Sequence, residues 1–174
     1  MQLFLDGARL GYGLAARNTD VTLEDIYRLA DVFYIGGTKM GALCGEAVVC
    51  TRPELLPRFF PLQKAHGAVL AKGRVLGIQF GALFTDDLYL RIGRHGVGLA
   101  LRLRSLFESR GYEPFIDSPT NQQFFVLPNS VIEHLREHAS FENWGAPGKE
   151  ESQVRFVTSW ATRPEDVKEL LDLL

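Results

Sequence analysis

Between Asp86 and Arg110 the chain runs without a proline, and Leu88, Ile92, His95, Leu99, Leu103 and Leu106 recur at helical spacing. Apolar residues three or four positions apart line one stripe of a helix. At about 1.5 Å per residue, a helix over 86–110 is as long as a small domain is wide. It therefore reads as a connecting helix, with a unit over 1–85 before it and a smaller one over 111–174 after it. Gly111 ends it.

Before this helix, strand and helix patterns alternate. Gln2 to Leu5 is a short apolar strand stopped by Asp6-Gly7, a turn signal. Thr22 to Ala30 reads as a helix, with Thr22 as cap, Asp25 three residues on, and Leu23, Ile26, Tyr27 and Ala30 on one face. Asp31 to Ile35 and Ala47 to Cys50 read as buried strands. Pro53 opens a helix with Thr51 as a possible cap, and Ala65 to Phe84 reads as one packed helix. After Gly111 come strands over 112–116, 123–127 and 154–159, a helix over 129–138, and a last helix from Thr162, where Glu165 would complete a capping box. Such alternation predicts an α/β fold: the end of a mostly parallel sheet, long connecting helices, and a small C-terminal α/β sandwich.

Charge and composition exclude several classes. The 174 residues carry a net charge of −2, which leaves no basic footprint for nucleic acid. No apolar run reaches the roughly 20 residues of a membrane helix. Cys44 and Cys50 lie in apolar surroundings without a disulfide framework, and read as buried thiols in a reducing compartment. The start, MQLFLDGARL, lacks a basic leader. The expectation is a cytoplasmic protein. A strand beginning at residue 2 also fits a chain whose first part is missing.

Lys39 is the one charged residue between Asp31 and Glu46, in FYIGGTKMGALCGEAV. Burial would disfavour its charged form and make its amine a nucleophile toward carbonyls, including the aldehyde of pyridoxal phosphate. Alone, a solvated lysine in a glycine loop is the simpler reading. Asp6 and Arg9, in FLDGAR directly after the first strand, alter the balance. If the two strands are parallel, Asp6 and Lys39 leave the sheet at the same edge, where crevices of parallel sheets form. A pyridoxal phosphate site needs just such a pair, a carboxylate for the pyridine nitrogen and a lysine for the aldehyde.

LFLDGARLGYGLA followed by DVFYIGGTKMGALCGEAVV resembles the low-specificity L-threonine aldolase and β-eliminating lyase family, pyridoxal-phosphate enzymes of the aspartate-aminotransferase-like fold. The resemblance continues through AKGRVLGIQFGALF and SPTNQQFFVLP to VRFVTSW. It implies that Lys39 bonds the cofactor aldehyde and that Asp6 faces the pyridine nitrogen. It implies that Arg9 faces cofactor and substrate carboxylate, that Arg74 reaches the cofactor phosphate, and that Arg155 grips the substrate carboxylate. A planar fork suits a carboxylate; the alternative for Arg155 is a surface arginine on an edge strand. Asn121 matches a family Thr-Asn pair without an assigned role. Family members are longer, and their N-terminal half carries the phosphate-cradling loop and the aromatic ring that stacks on the cofactor. The chain thus resembles the C-terminal half.

The implied activity is carbon–carbon cleavage of a β-hydroxy amino acid such as threonine, in a homo-oligomer, with the fragment alone inactive. The alternatives are β-elimination at the same site, or a non-catalytic fragment that self-associates through exposed edges near Met1 to Leu5 and Asp31 to Ile35. Glu133, His134 and His138 share a helix face but lack a third ligand at a sensible spacing, so no metal is expected. Gly93, Gly96 and Gly98 follow no strand and are not a dinucleotide fingerprint.

Overall fold

The computed structural model describes residues 1–174 apart from the side chain of Leu171. Two sheets stand at either end of one long helix. The first holds β1 (Phe4–Leu5), β2 (Val32–Gly36) and β3 (Glu46–Cys50) in the order β1-β2-β3. β1 pairs with β2 in parallel, but β3 returns antiparallel to β2. The sheet is therefore mixed rather than mostly parallel. β2 is internal, so the free edges are β1 and β3, and Asp31 to Ile35 is not an edge. The second sheet runs β4 (Pro114–Ile116), β5 (Gln122–Pro128), β7 (Glu151–Val157), β6 (Glu142–Asn143), all antiparallel.

Short helices α1 (Leu10–Leu14) and α2 (Leu23–Leu29) link β1 to β2. The reading of the α2 cap holds: Thr22 and Asp25 exchange side-chain and backbone hydrogen bonds in a full capping box. Tyr27, however, is exposed, and only Ile26 of this helix is buried. Asp31, itself buried, ties the start of the sheet together by accepting from the Leu3 amide at 2.6 Å and from Arg52 at 2.9 Å.

Four local readings need correction. Pro53–Leu55 forms a single 3₁₀ turn, because the Thr51 hydroxyl donates back to the carbonyls of Ala30 and Asp31 instead of capping forward. The stretch 65–84 is not one helix. α3 (Phe59–Ala65) is stopped by Gly67 at φ +70°, and α4 (Arg74–Leu83) starts afresh beyond Gly73. At α7 (Pro164–Asp172), the Thr162 hydroxyl accepts from the Ser159 amide, and Asp166 rather than Glu165 accepts from the Arg163 amide. The cysteines are free, but Cys44 is exposed and Cys50 half-buried, so neither is a buried thiol.

The long helix α5 (Leu88–Ser109) is present, and its buried face takes in part of the leucine stripe: Leu99 and Leu103 are buried, and Ile92 and Leu106 are partly buried against the two cores. The rest of that face is Tyr89, Gly93, Gly96, Val97, Ala100 and Phe107, while His95 is exposed. Size decides this. A Cβ on Gly93 would lie 2.3 Å from the Gly11 carbonyl oxygen, and one on Gly96 2.5 Å from the Tyr12 ring, so α1 packs against α5 only because both positions lack side chains. The first half of α5 joins Tyr12, Met40 and Leu83 in one apolar cluster. Its second half joins Phe125, Leu127, Val154 and Phe156 in another. One helix thus serves both cores and fixes the two sheets relative to each other.

A buried hydroxyl reinforces that junction. Thr158, just past β7, donates to the Gly96 carbonyl at 2.7 Å. Thr158→Val keeps the shape but removes this hydrogen bond, which the Gly96 carbonyl accepts in addition to its bond within the helix. It is expected to lower stability by about 1–2 kcal/mol, read as a shift of the urea midpoint at unchanged slope. Among the described residues, no helix is long and apolar enough to cross a membrane.

Candidate functional site

The close approach of two strand ends creates the site. A Cβ on Gly36 would lie 2.4 Å from the Ala8 carbonyl oxygen, and one on Gly7 1.6 Å from that of Tyr34. Because neither position has a side chain, the segment Asp6–Arg9 lies directly beside the segment that leaves β2.

That segment makes one 3₁₀ turn, Thr38–Met40, closed by Gly41 at φ +96°. Its backbone is held on every side. The Tyr89 hydroxyl donates to the Gly36 carbonyl at 3.0 Å, the Gly37 amide donates to the Glu46 carboxylate at 2.8 Å, and the Tyr12 hydroxyl donates to the Lys39 carbonyl at 2.7 Å. Tyr12 is itself pinned, since its oxygen accepts from the Trp160 amide at 3.2 Å. Burial pushes the Tyr12 and Tyr89 phenols up, so both remain neutral donors. Met40 is fully buried, but the Lys39 side chain is exposed. Isolation within an apolar pocket is not what this chain gives that lysine; it gives a fixed backbone and an open approach.

Asp6 is also exposed. The Tyr34 hydroxyl and the Ala8 amide, at 3.0 Å for the latter, both donate to its Oδ1. These two hydrogen bonds, the hydroxyl first, hold its carboxyl below the usual carboxylate range, and the charge of Lys39 adds to the effect. The same contact pushes the Tyr34 phenol up. Asp6 and Arg9 line a crevice of about 330 Å³ with Leu10, Tyr12, Asn121 and Gln122. Its far wall is the start of β5, so the crevice lies between the two sheets. A larger cavity of about 590 Å³, between α5, β7 and α7, is walled by core residues such as Leu103, Phe156 and Val167. None of Asp6, Arg9, Lys39, Arg74, Asn121 and Arg155 lines it.

Arg155 lies on β7, inside its sheet and not on an edge. It donates to Gln122 at 3.0 Å and to the Glu142 carboxylate, its guanidinium carbon sits 5.0 Å from the Trp144 ring centre, and its Nε is buried without a partner. Through Gln122 it stands one residue behind the crevice wall. Asn121 donates to the Thr158 carbonyl at 2.7 Å and keeps its buried Oδ1 without a partner. Arg74 is exposed at the start of α4, on the helix whose Gln79 accepts from the Leu43 amide at 2.6 Å beyond the lysine turn. It lines no part of the crevice.

Tyr12, Tyr34, Tyr89, Glu46 and Gln122 were not legible as site residues. Each acts through one polar atom on a side chain whose remainder packs or sits in a strand. The available signal was weak: an aromatic hydroxyl within a strand directly before a glycine-lysine turn, and an amide beside Asn121.

The donor set fits pyridoxal phosphate. It offers a carboxylate kept ionised, a primary amine beside it, and arginine at the crevice, with a second guanidinium whose Nε is unpaired behind the wall. The first two are the groups that the pyridine nitrogen and the aldehyde require.

No family model matches the chain. It is 29% identical over 172 residues to the low-specificity L-threonine aldolase of Pseudomonas aeruginosa, covering 98% of this chain and 49% of that protein. The enzyme of the same name from Pseudomonas sp. is 28% identical over 172 residues, again across 49% of its length. The solved threonine aldolase of Leishmania major superposes with a TM-score of 0.95 at 37% identity, over 99% of this chain and 51% of that one. Serine palmitoyltransferase of Sphingomonas wittichii matches with a TM-score of 0.62 at 15% identity, a likeness of fold alone. The chain spans about half the length of the curated relatives it matches, and its fold is that of the pyridoxal-phosphate transferases.

Proposed function

We propose that this chain supplies the lysine-bearing half of a pyridoxal-phosphate-dependent lyase that cleaves the Cα–Cβ bond of β-hydroxy amino acids, giving glycine and an aldehyde from a substrate such as threonine. One observation carries the reading: an Asp6 carboxylate held ionised by Tyr34 and Ala8 beside the Lys39 turn, at the crevice of Arg9, Asn121 and Gln122. The threonine-aldolase likeness over almost the whole chain supports it.

Lys39 would hold the cofactor through its amine, at the aldehyde. Asp6 would hold the pyridine nitrogen, its carboxylate favouring the protonated form. Bound pyridoxal phosphate supplies the electron sink for the pair released when the carbon–carbon bond breaks. Arg9 and Arg155 bind the substrate carboxylate, the second by its planar fork, and Arg74 is assigned to the phosphate. β-Elimination at the same residues is the second reading. Residues 1–85 are taken as the cofactor-binding unit, 86–110 as the connecting helix and 111–174 as the small domain. Full turnover calls on a complementary half, in keeping with the coverage of the relatives. Exposed Leu3, Phe4 and Val48 beside the free edges support a homo-oligomer. The free cysteines accord with a cytoplasmic setting.

Borohydride reduction of the cofactor-loaded protein, followed by peptide mapping, tests the assignment. The label is expected on Lys39. Label on Lys64 or Lys72 refutes it.

A further inference from the structure

The end of α6 (Asn129–Arg136) carries a second cluster of chemistry-bearing groups, on the second sheet's unit and outside the crevice. His134, Glu137 and His138 are all exposed, and one ligand atom from each lies within 4.8 Å of the others. Glu133, on the same helix, is not the third member. Glu137 is, because the chain tightens beyond Arg136, with the Glu137 amide donating to the His134 carbonyl and the His138 amide to the Leu135 carbonyl at 3.2 and 3.1 Å. That turn carries His138 back alongside His134, with ring centres 5.6 Å apart.

From this geometry we propose that His134, Glu137 and His138 form a surface site for a divalent late transition metal, zinc in the first instance. Two imidazoles and one carboxylate are the donor set that zinc accepts when it keeps open positions, here filled by water. Zinc bonds of about 2.0–2.2 Å need the donors closer together than they stand. Rotation of exposed side chains closes that gap, and among the described residues none of the three is engaged in a side-chain hydrogen bond or ion pair. The neighbouring Arg136 donates to Asn143 at 2.7 Å and lies 5.1 Å from the Phe141 ring centre, so it occupies none of the three donors. The helix C-terminus adds its partial negative charge. Magnesium, which asks for an octahedron of oxygens, is not a match.

Calorimetric titration of the tag-free chain with zinc chloride, in a buffer that does not chelate, tests this. One zinc per chain is expected. His134→Ala and His138→Ala should each weaken binding by more than about tenfold, since even the loss of an outer-sphere partner costs ~10- to 100-fold. Cys44→Ser, which removes the exposed thiol, should leave binding unchanged. Cobalt(II) should give a visible absorption band that both histidine variants abolish, and millimolar magnesium should give no heat. No zinc uptake, zinc binding that survives the His134→Ala/His138→Ala double change, or binding lost with Cys44→Ser would each overturn the assignment. Circular dichroism of the variants confirms that the exposed changes leave the fold intact.

Discussion

Asp6→Asn is expected to lower kcat of the active enzyme by about 10²–10³, the range seen when one preorganised electrostatic partner is removed, while KM and cofactor content stay nearly unchanged. Asparagine keeps an oxygen where the Tyr34 hydroxyl and the Ala8 amide donate, so the local structure has no reason to move. What disappears is the charge proposed to keep the pyridine nitrogen protonated. Steady-state kinetics with the bound-cofactor absorbance as a control separates this from loss of binding. An unchanged kcat would remove Asp6 from the site. The Tyr34 contact gives the same idea a pH dimension. The native carboxyl sits below the usual range chiefly because of that hydroxyl, so activity that depends on ionised Asp6 is lost only as pH falls through this lowered value. Tyr34→Phe lets the value return upward. The acid limb of the pH–rate profile should then move to higher pH, with little change near neutrality.

The backbone course of the two segments that form the crevice edge could be read from the sequence, because both are punctuated by glycines that mark where the strands end. Asp6-Gly7 and Gly36-Gly37 mark the strand ends correctly, and the parallel pairing of β1 with β2 brings them to one edge as anticipated. The environment of Lys39 was misread for an equally physical reason. Apolar neighbours in sequence imply burial, but in a 3₁₀ turn only some positions face inward, and Met40 takes the buried one while the lysine faces out. The face of α5 extends beyond the stripe read from the sequence, because hydropathy picks out Leu99 and Leu103, whereas a close helix contact also selects for the missing side chains of Gly93 and Gly96. The buried tyrosines that lock the turn could not be foreseen, since Tyr89 reaches Gly36 and Tyr12 reaches Trp160 across long separations in sequence. The break between α3 and α4 was in plain view at Gly67, which takes a backbone conformation that ends helices.

Arg155→Lys is the second large effect, and it distinguishes a carboxylate clamp from a structural arginine. The native side chain is only 15% exposed and already meets Gln122, Glu142 and the Trp144 ring. A structural role would therefore predict loss of stability with substrate affinity intact. A clamp predicts otherwise. Lysine keeps the charge but offers a point in place of a planar fork, and losing one charge-assisted hydrogen bond costs about 1.5–3 kcal/mol. That corresponds to roughly 10- to 150-fold in kcat/KM, carried mainly by KM because the contact holds substrate before and during the reaction. Cofactor absorbance should be unchanged, since this arginine is assigned to the amino acid and not to the ring. Glu142→Gln is the informative companion. It releases the guanidinium from a competing carboxylate on an exposed edge strand, so KM should hold or fall. If Arg155→Lys leaves KM unaltered, or empties the protein of cofactor, the clamp lies elsewhere and Arg155 serves to tie β6 to β7. If KM rises while the urea midpoint stays put, the fork is bonding substrate.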